Sequence, residues 1–355
     1  MELLQTTLAG IVGQDQKWRG MAKERLDQLT MPYWALGRLM DLGLDLAGMT
    51  RSLHPPVSRR AIITMAGDHG VTDEGVSKFP REVTQQMVYN FVAGGAGINA
   101  LARQVNAKVV VVDMGVAADL SGLIASGKII DKKVAPGTLN IARGPAMSRE
   151  QAVQAIEAGI LVVNQMGNHT DLFGTGDMGI GNTTPSTAIV AALTGVPVTE
   201  LTGRGTGLDD EQFAHKIKVI ERALAINNPD PTDGLDVLAK VGGFEIGGIA
   251  GVILGAAAQR KPVIIDGFIS TAGALIALAL KPEVRQYIIA AHLSVEPGHQ
   301  VMLERLGCRP LLTGLNLRLG EGTGAALAMN LVEAAVHILT EVATFAEAQV
   351  AGADK

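Results

Sequence analysis

A single cysteine, Cys308, serves all 355 residues, which excludes an internal disulfide and a cysteine zinc cage and suits a reducing cytoplasm. Basic charge is also short. The 30 Lys and Arg are outnumbered by 35 Asp and Glu, and a net charge of −5 argues against a nucleic-acid partner, whose phosphates need a basic face. No hydrophobic run is long enough to cross a bilayer; the longest, IGGIAGVILGAAA from Ile246 to Ala258, suits a tightly packed buried helix. The opening MELLQTTLAGIVGQDQK lacks the charged start and apolar core of a signal peptide. Neither an internal repeat nor a low-complexity linker is visible. These absences lead us to expect a cytoplasmic enzyme or binding protein without membrane or nucleic-acid partners, built as one large domain with a smaller appendage.

What is present is an alternation of strands and helices. Short apolar, β-branched runs end in polar or glycine-rich turns: RAIITMAGDHG (60–70), AKVVVVDMGV (107–116), DLFGTGDMG (171–179), PVIIDGF (262–268), YIIAAHLS (287–294) and PLLTGLNLR (310–318). Their continuous apolarity predicts strands buried on both faces, as in a parallel sheet. Helix-period stretches lie between them, including SREQAVQAIEAGILVV, which opens on a capping box of Ser148 and Gln151, and DDEQFAHKIKVIERALA at 209–225. The expected fold is α/β, a parallel Rossmann-like sheet with helices on both faces and ligands at the carboxyl ends of the strands. Asp68, His69, Asp113, Asp177, Asp266, Ser294, Glu296 and Glu321 all fall at such ends. Residues 1–50 read as two or three helices and 331–351 as one long amphipathic helix. The domain reading is therefore a small helical domain of 1–50 and 331–355 beside a catalytic domain of 51–330.

Several motifs point to nucleotides, and most miss. Gly174, Gly176 and Gly179 spell the dinucleotide fingerprint G-x-G-x-x-G, and Glu200 lies near the distance of its ribose-binding acid. The best helix start is later, with Thr184 as N-cap and Pro185 at the first helical position, so Ile180 to Thr183 lengthen the turn beyond what NAD uses, and the motif sits on the third strand rather than the first. The glycines remain either an anion seat or a tight turn needing positive φ. GLIASGKI (122–129) fails as a P-loop because Ile129 stands where a magnesium-binding hydroxyl is needed. A phosphoribosyl pyrophosphate site wants two adjacent acids after a strand, but Asp113 is followed by Met114, and Asp209 and Asp210 open a helix. His292, Glu296 and His299 are interrupted by Pro297, which breaks any continuous helical face, so hydrogen-bonded or substrate-contacting histidines are the favoured reading over a metal site that Asp68 and His69 could join in space. Glu321, between glycines ahead of a helix, has two readings: a carboxylate at the mouth of a pocket, or a charge interacting with its own helix dipole.

DHGVTDEGVSKFPREVTQQMV (68–88), GGAGINALAR (94–103), GDMGIGNTTPSTA (176–188), GRGTGLDD (203–210), GGFEIGGIAG (242–251), DGFISTAGAL (266–275), HLSVEPGH (292–299) and LRLGEGTGAALAM (317–329) follow one another over most of the chain. Together they resemble the nicotinate-nucleotide–dimethylbenzimidazole phosphoribosyltransferases. The resemblance implies transfer of phosphoribose from nicotinate mononucleotide to 5,6-dimethylbenzimidazole, giving α-ribazole 5′-phosphate and nicotinate in cobalamin synthesis. It also implies a cytoplasmic homodimer with no cofactor and no metal. On the same ground Glu321 is the general base; Ser77, Gln85 and Met178 belong to the base pocket; and Asp177, Gly179, Gly205, Lys216 and Ser294 bind phosphoribose. Lys216 reads equally as a solvated face residue of its helix. Asp177 stands where the family often has glutamate, and PYWALG (32–37) departs from the usual loop, so the preferred base stays open. An NAD-dependent oxidoreductase and a non-catalytic nucleotide-binding regulator are the rival classes.

Overall fold

The computed structural model describes residues 1–205 and 207–351. Its sheet contains β1 Arg60–Gly67, β2 Ala107–Gly115, β3 Ile130–Asp131, β4 Leu172–Met178, β5 Val263–Ile265 and β6 Ile288–Ala290. All neighbours are parallel, in the order β3-β2-β1-β4-β5-β6. The chain winds outward from β1 to β3, then crosses back to β4 and winds the other way. β1 and β4 therefore flank the switch point, where the loops leave in opposite directions and open a crevice at the carboxyl ends. Every residue of β1 is buried, as its unbroken apolarity requires.

Alternation along the strands assigns the two faces. Met65 and Gly67 of β1 meet the helix Phe244–Ala258, whose glycines let it lie against Arg149–Met166. A β-carbon on Gly159 would collide with the Gly248 carbonyl. On the other face, Ile62, Thr64, Gly174 and Gly176 meet the helix Thr323–Glu341 and the turn before it. That helix packs in turn on Gly97–Gln104.

The chain ends meet. Ala22, Leu26, Leu29, Met40 and Ala47 form a second hydrophobic cluster with Ile338 and Leu339. Leu29 and Thr344 form an antiparallel bridge beside it. The helix Glu2–Gly10 packs instead on Phe244–Ala258 and Arg149–Met166, and Thr323–Glu341 runs across position 331. Residues 352–355 of the expected small domain lie outside the described residues.

Four local expectations need correction. PLLTGLNLR is not a strand: Leu312 makes one isolated bridge to His292, because Gly314 (φ +77°) and Asn316 (φ +54°) turn the backbone out of extended geometry. The missing strand is the two-residue β3, too short to show a period, which makes β4 and not the third strand the carrier of the glycine motif. The helix after that motif is Thr183–Thr194 with Asn182 as N-cap, so Thr184 is already inside it. The long C-terminal helix ends at Glu341, where Val342 is extended and Thr344 starts a new short helix, Phe345–Ala348, through a capping box with Glu347. The capping box of Ser148 and Gln151 is formed as expected.

Candidate active site

The glycines of β4 are explained by what lies on them. None of Gly174, Gly176 and Gly179 has positive φ, so the turn reading fails for all three; only Gly181 (φ +87°) needs it. A β-carbon on Gly176 would collide with the Glu321 carbonyl, and one on Gly179 with the Gly67 carbonyl. Gly174 and Gly176 sit inside the strand, so the fingerprint is spelled across β4 and not around a nucleotide-binding turn. Glu200, the would-be ribose acid, is exposed on the short helix Val198–Leu201. The other candidate acids are also structural. Asp113 accepts N–H bonds from Gly115 and Val116 and faces Lys133, Asp209 caps Asp210–Asn227, and Asp210 pairs with Arg204.

Above the switch point lies a cavity of about 850 Å³. Ser77, Asp177, Met178, Gly179, Gly205, Ser294 and Glu321 all line it, brought together from segments spread over the chain. Gln85 does not. It is half-buried on the helix Glu82–Ala93, which presents Val83 and Met87 to the cavity instead. Those two, with Val76, Phe79, Met178 and Leu319, make one wall apolar. Their spacing at i and i+4 on one helix face was the signal available for them.

Glu321 leaves β4's neighbouring turn at φ +64°, between Gly320 (φ +80°) and Gly322 (φ +98°). Its carboxylate does not sit on its own helix. Oε2 accepts the N–H of Ile98 at 2.9 Å, in the first turn of Gly97–Gln104. Burial pushes the carboxyl above the usual glutamate range, against the pull of the Ile98 and Gly97 N–H groups. The result is a buried acid facing a pocket, poised closer to neutrality than a surface glutamate.

Asp177, at the end of β4, accepts a bond from Asn182 Nδ2 at 2.9 Å. Burial holds its carboxyl well above the usual range, and the neighbouring charge of Asp266 adds to this. Lys216 is not a solvated face residue. It is 1% exposed, and its Nζ donates to Thr183 Oγ1 at 2.8 Å. Among the described residues it reaches the cavity through Thr183 and Gly205, which do line it. Burial brings its amine down to about 8, with Glu296 pulling the other way, so it is still largely a cation at neutral pH. Arg318 at the mouth donates to the Gly205 carbonyl at 3.2 Å. Thr183, Asn182 and Arg318 carried no sequence signal of their own.

His299 serves the frame. His299 accepts the Ser294 N–H on Nδ1 at 2.9 Å and meets Thr271 Oγ1 through Nε2, which occupies both nitrogens. His292 lines the cavity and is held neutral by burial, down to about 4. Behind β1, His69 Nε2 lies 2.8 Å from Glu245 Oε1; burial opposes charging His69, but Glu245 and Asp68 together outweigh it and raise the imidazole.

The sequence pattern described as "Phosphoribosyltransferase" matches residues 11–350. A nicotinate-nucleotide–dimethylbenzimidazole phosphoribosyltransferase of Syntrophotalea carbinolica is 65% identical, covering 99% of each chain. One of the same name from Desulfotalea psychrophila is 59% identical over 100% of each. A crystal structure of that enzyme from Thermus thermophilus superposes with a TM-score of 0.88 at 44% identity, covering 96% of this chain and 100% of its own. With its ordered motifs, parallel sheet and switch-point cavity, the chain belongs to the nicotinate-nucleotide–dimethylbenzimidazole phosphoribosyltransferase family.

Proposed function

We propose that this chain transfers phosphoribose from nicotinate mononucleotide to 5,6-dimethylbenzimidazole or a related base, supplying α-ribazole 5′-phosphate for cobalamin nucleotide-loop synthesis. The chemistry asks little of the protein. The pyridinium nitrogen of the donor already carries positive charge, so nicotinate leaves with the bonding electrons and no acid is needed. A benzimidazole nitrogen attacks the anomeric carbon from the opposite face, converting β to α. The second ring nitrogen must then lose its proton, and one carboxylate suffices to take it.

The observation that carries this reading is the Glu321 carboxylate, buried at the cavity on the N–H groups of another helix and raised toward neutrality. The apolar wall suits a flat methylated base, with Ser77, Met178 and nearby Gln85 on that side. At the polar end, Asp177, Gly179, Gly205, Ser294 and Lys216 serve the phosphoribose. The N-terminus of Thr183–Thr194 and the Lys216 cation, relayed through Thr183 and Gly205, favour its phosphate. Neither a cofactor nor a metal enters the scheme. We further read the protein as a cytoplasmic homodimer whose two chain ends form a small helical domain. Exposed Tyr33 and Leu36 in the N-terminal segment offer apolar surface for a second copy.

Incubating the protein with nicotinate mononucleotide and dimethylbenzimidazole, then separating the products, tests the reading. Free nicotinate and an α-linked ribotide in equal amounts are expected. Intact donor with bound nucleotide would mark a non-catalytic regulator, and a nicotinamide-dependent redox change would mark the dehydrogenase class; either result overturns the proposal.

A further inference from the structure

We propose that Asp266 and Thr64 clamp the turn carrying Glu321 and so position its carboxylate, an assignment that rests on Glu321 being the base. Asp266 follows β5 and is 1% exposed. Its Oδ1 accepts the N–H groups of Gly324 at 2.6 Å and Ala325 at 3.0 Å, and its Oδ2 accepts that of Gly322 at 3.2 Å. Thr64, from the middle of β1, donates its hydroxyl to the Glu321 carbonyl at 3.1 Å. Neither residue lines the cavity, so both are positioning residues; Asp266 also lies 3.7 Å from His292 Nδ1 and its charge helps raise Asp177, whereas among the described residues the Thr64 hydroxyl bonds to Glu321 alone.

The turn needs outside support for two reasons. Gly320, Glu321 and Gly322 are three successive left-handed residues, and a glutamate in that region is held only where its surroundings over-determine it. The helix Thr323–Glu341 also has no side-chain cap of its own, because position 322 is a glycine at φ +98°. A serine or aspartate there would supply the capping oxygen but not the backbone conformation. The cap has therefore moved to another strand. Asp266 meets the free N–H groups of the helix, and in doing so bonds the turn to β5.

The other side of the turn rests on β4 at Gly176 and is bonded to β1 by Thr64. Glu321 is thereby referred to three adjacent strands, while residues 313–316 of the segment leading to it are exposed. The carboxylate's place follows the sheet and not the loop. Burial raises the Asp266 carboxyl to about 7 even with three N–H bonds drawing it down, so the anchor holds the turn against a desolvation penalty.

A double-mutant cycle with Glu321→Gln separates positioning from general structure. Asp266→Asn and Thr64→Val are each expected to lower turnover about 10- to 100-fold, with KM for nicotinate mononucleotide within about threefold of wild type. In the Glu321→Gln background either change should add less than about threefold. Equal losses in both backgrounds would overturn the clamp, as would near-wild-type turnover in Asp266→Asn. If Asp266→Asn does not accumulate as folded protein, Thr64→Val decides on the same two criteria. Wild-type turnover in Glu321→Gln alone would instead remove the base assignment beneath it.

Discussion

Asp177 shows what a single buried carboxyl adds and takes away. Burial and the charge of Asp266 raise it, so the folded protein holds this proton more tightly than the unfolded chain does. Its contribution to stability is complete below the unfolded carboxyl value of about 3.9 and is lost as pH rises through the raised folded value. Asp177→Asn keeps an oxygen for Asn182 and removes the buried charge. Thermal unfolding of the variant is therefore expected to lie above wild type at pH 8, with the difference vanishing toward pH 4. A variant less stable than wild type at pH 8 would show that Asp177 is charged and well paired. Residue chemistry of this kind was half legible in the sequence. The acids stand out at the strand ends, but nothing in DMGIGN tells that Asn182 folds back onto Asp177. Lys216 likewise reads as one more charge on an amphipathic helix, and only packing against Thr183 reveals it as buried.

At the scale of elements, glycines mark where backbones touch, and two of them separate stability from activity. Gly176→Ala places a methyl group against the Glu321 carbonyl and should cut turnover about 100-fold by shifting the turn. Gly159→Ala places one between two helices far from the cavity and should destabilise by about 1–3 kcal/mol or more, while activity per folded molecule is kept. Denaturant unfolding and active-site titration of the two variants check both statements. Long periodic segments such as Arg149–Met166 and Asp210–Asn227 were readable because cap, period and burial agree. β3 and the 310–318 segment were not. Two residues carry no period, and the turning backbone at Gly314 and Asn316 interrupts a sequence apolar enough to pass for a strand. The fingerprint glycines, set aside as an NAD site, kept two readings for a related reason, since spelling does not distinguish a glycine that turns from one that makes room.

The whole molecule joins these parts through its topology. Winding outward both ways from β1 and β4 opens one crevice, and segments from Val76 to Glu321 reach it. Strand-end acids and an αβ alternation made that crevice foreseeable, whereas the helical cluster shared by the two chain ends depends on contacts more than 300 residues apart in sequence, such as that between Arg25 and Leu339. The reaction assigned to the crevice turns on one proton leaving the attacking base. Its most direct measure is the single-turnover rate across pH for wild type and Glu321→Gln, both loaded with nicotinate mononucleotide and dimethylbenzimidazole. Wild-type rate should rise with pH through an ionisation above the usual glutamate value and then level, because only the carboxylate accepts the proton. Glu321→Gln should be slower by about 10²- to 10⁴-fold and flat over that range. A variant within a few-fold of wild type, or one that keeps the same rising limb, would contradict Glu321 as the base.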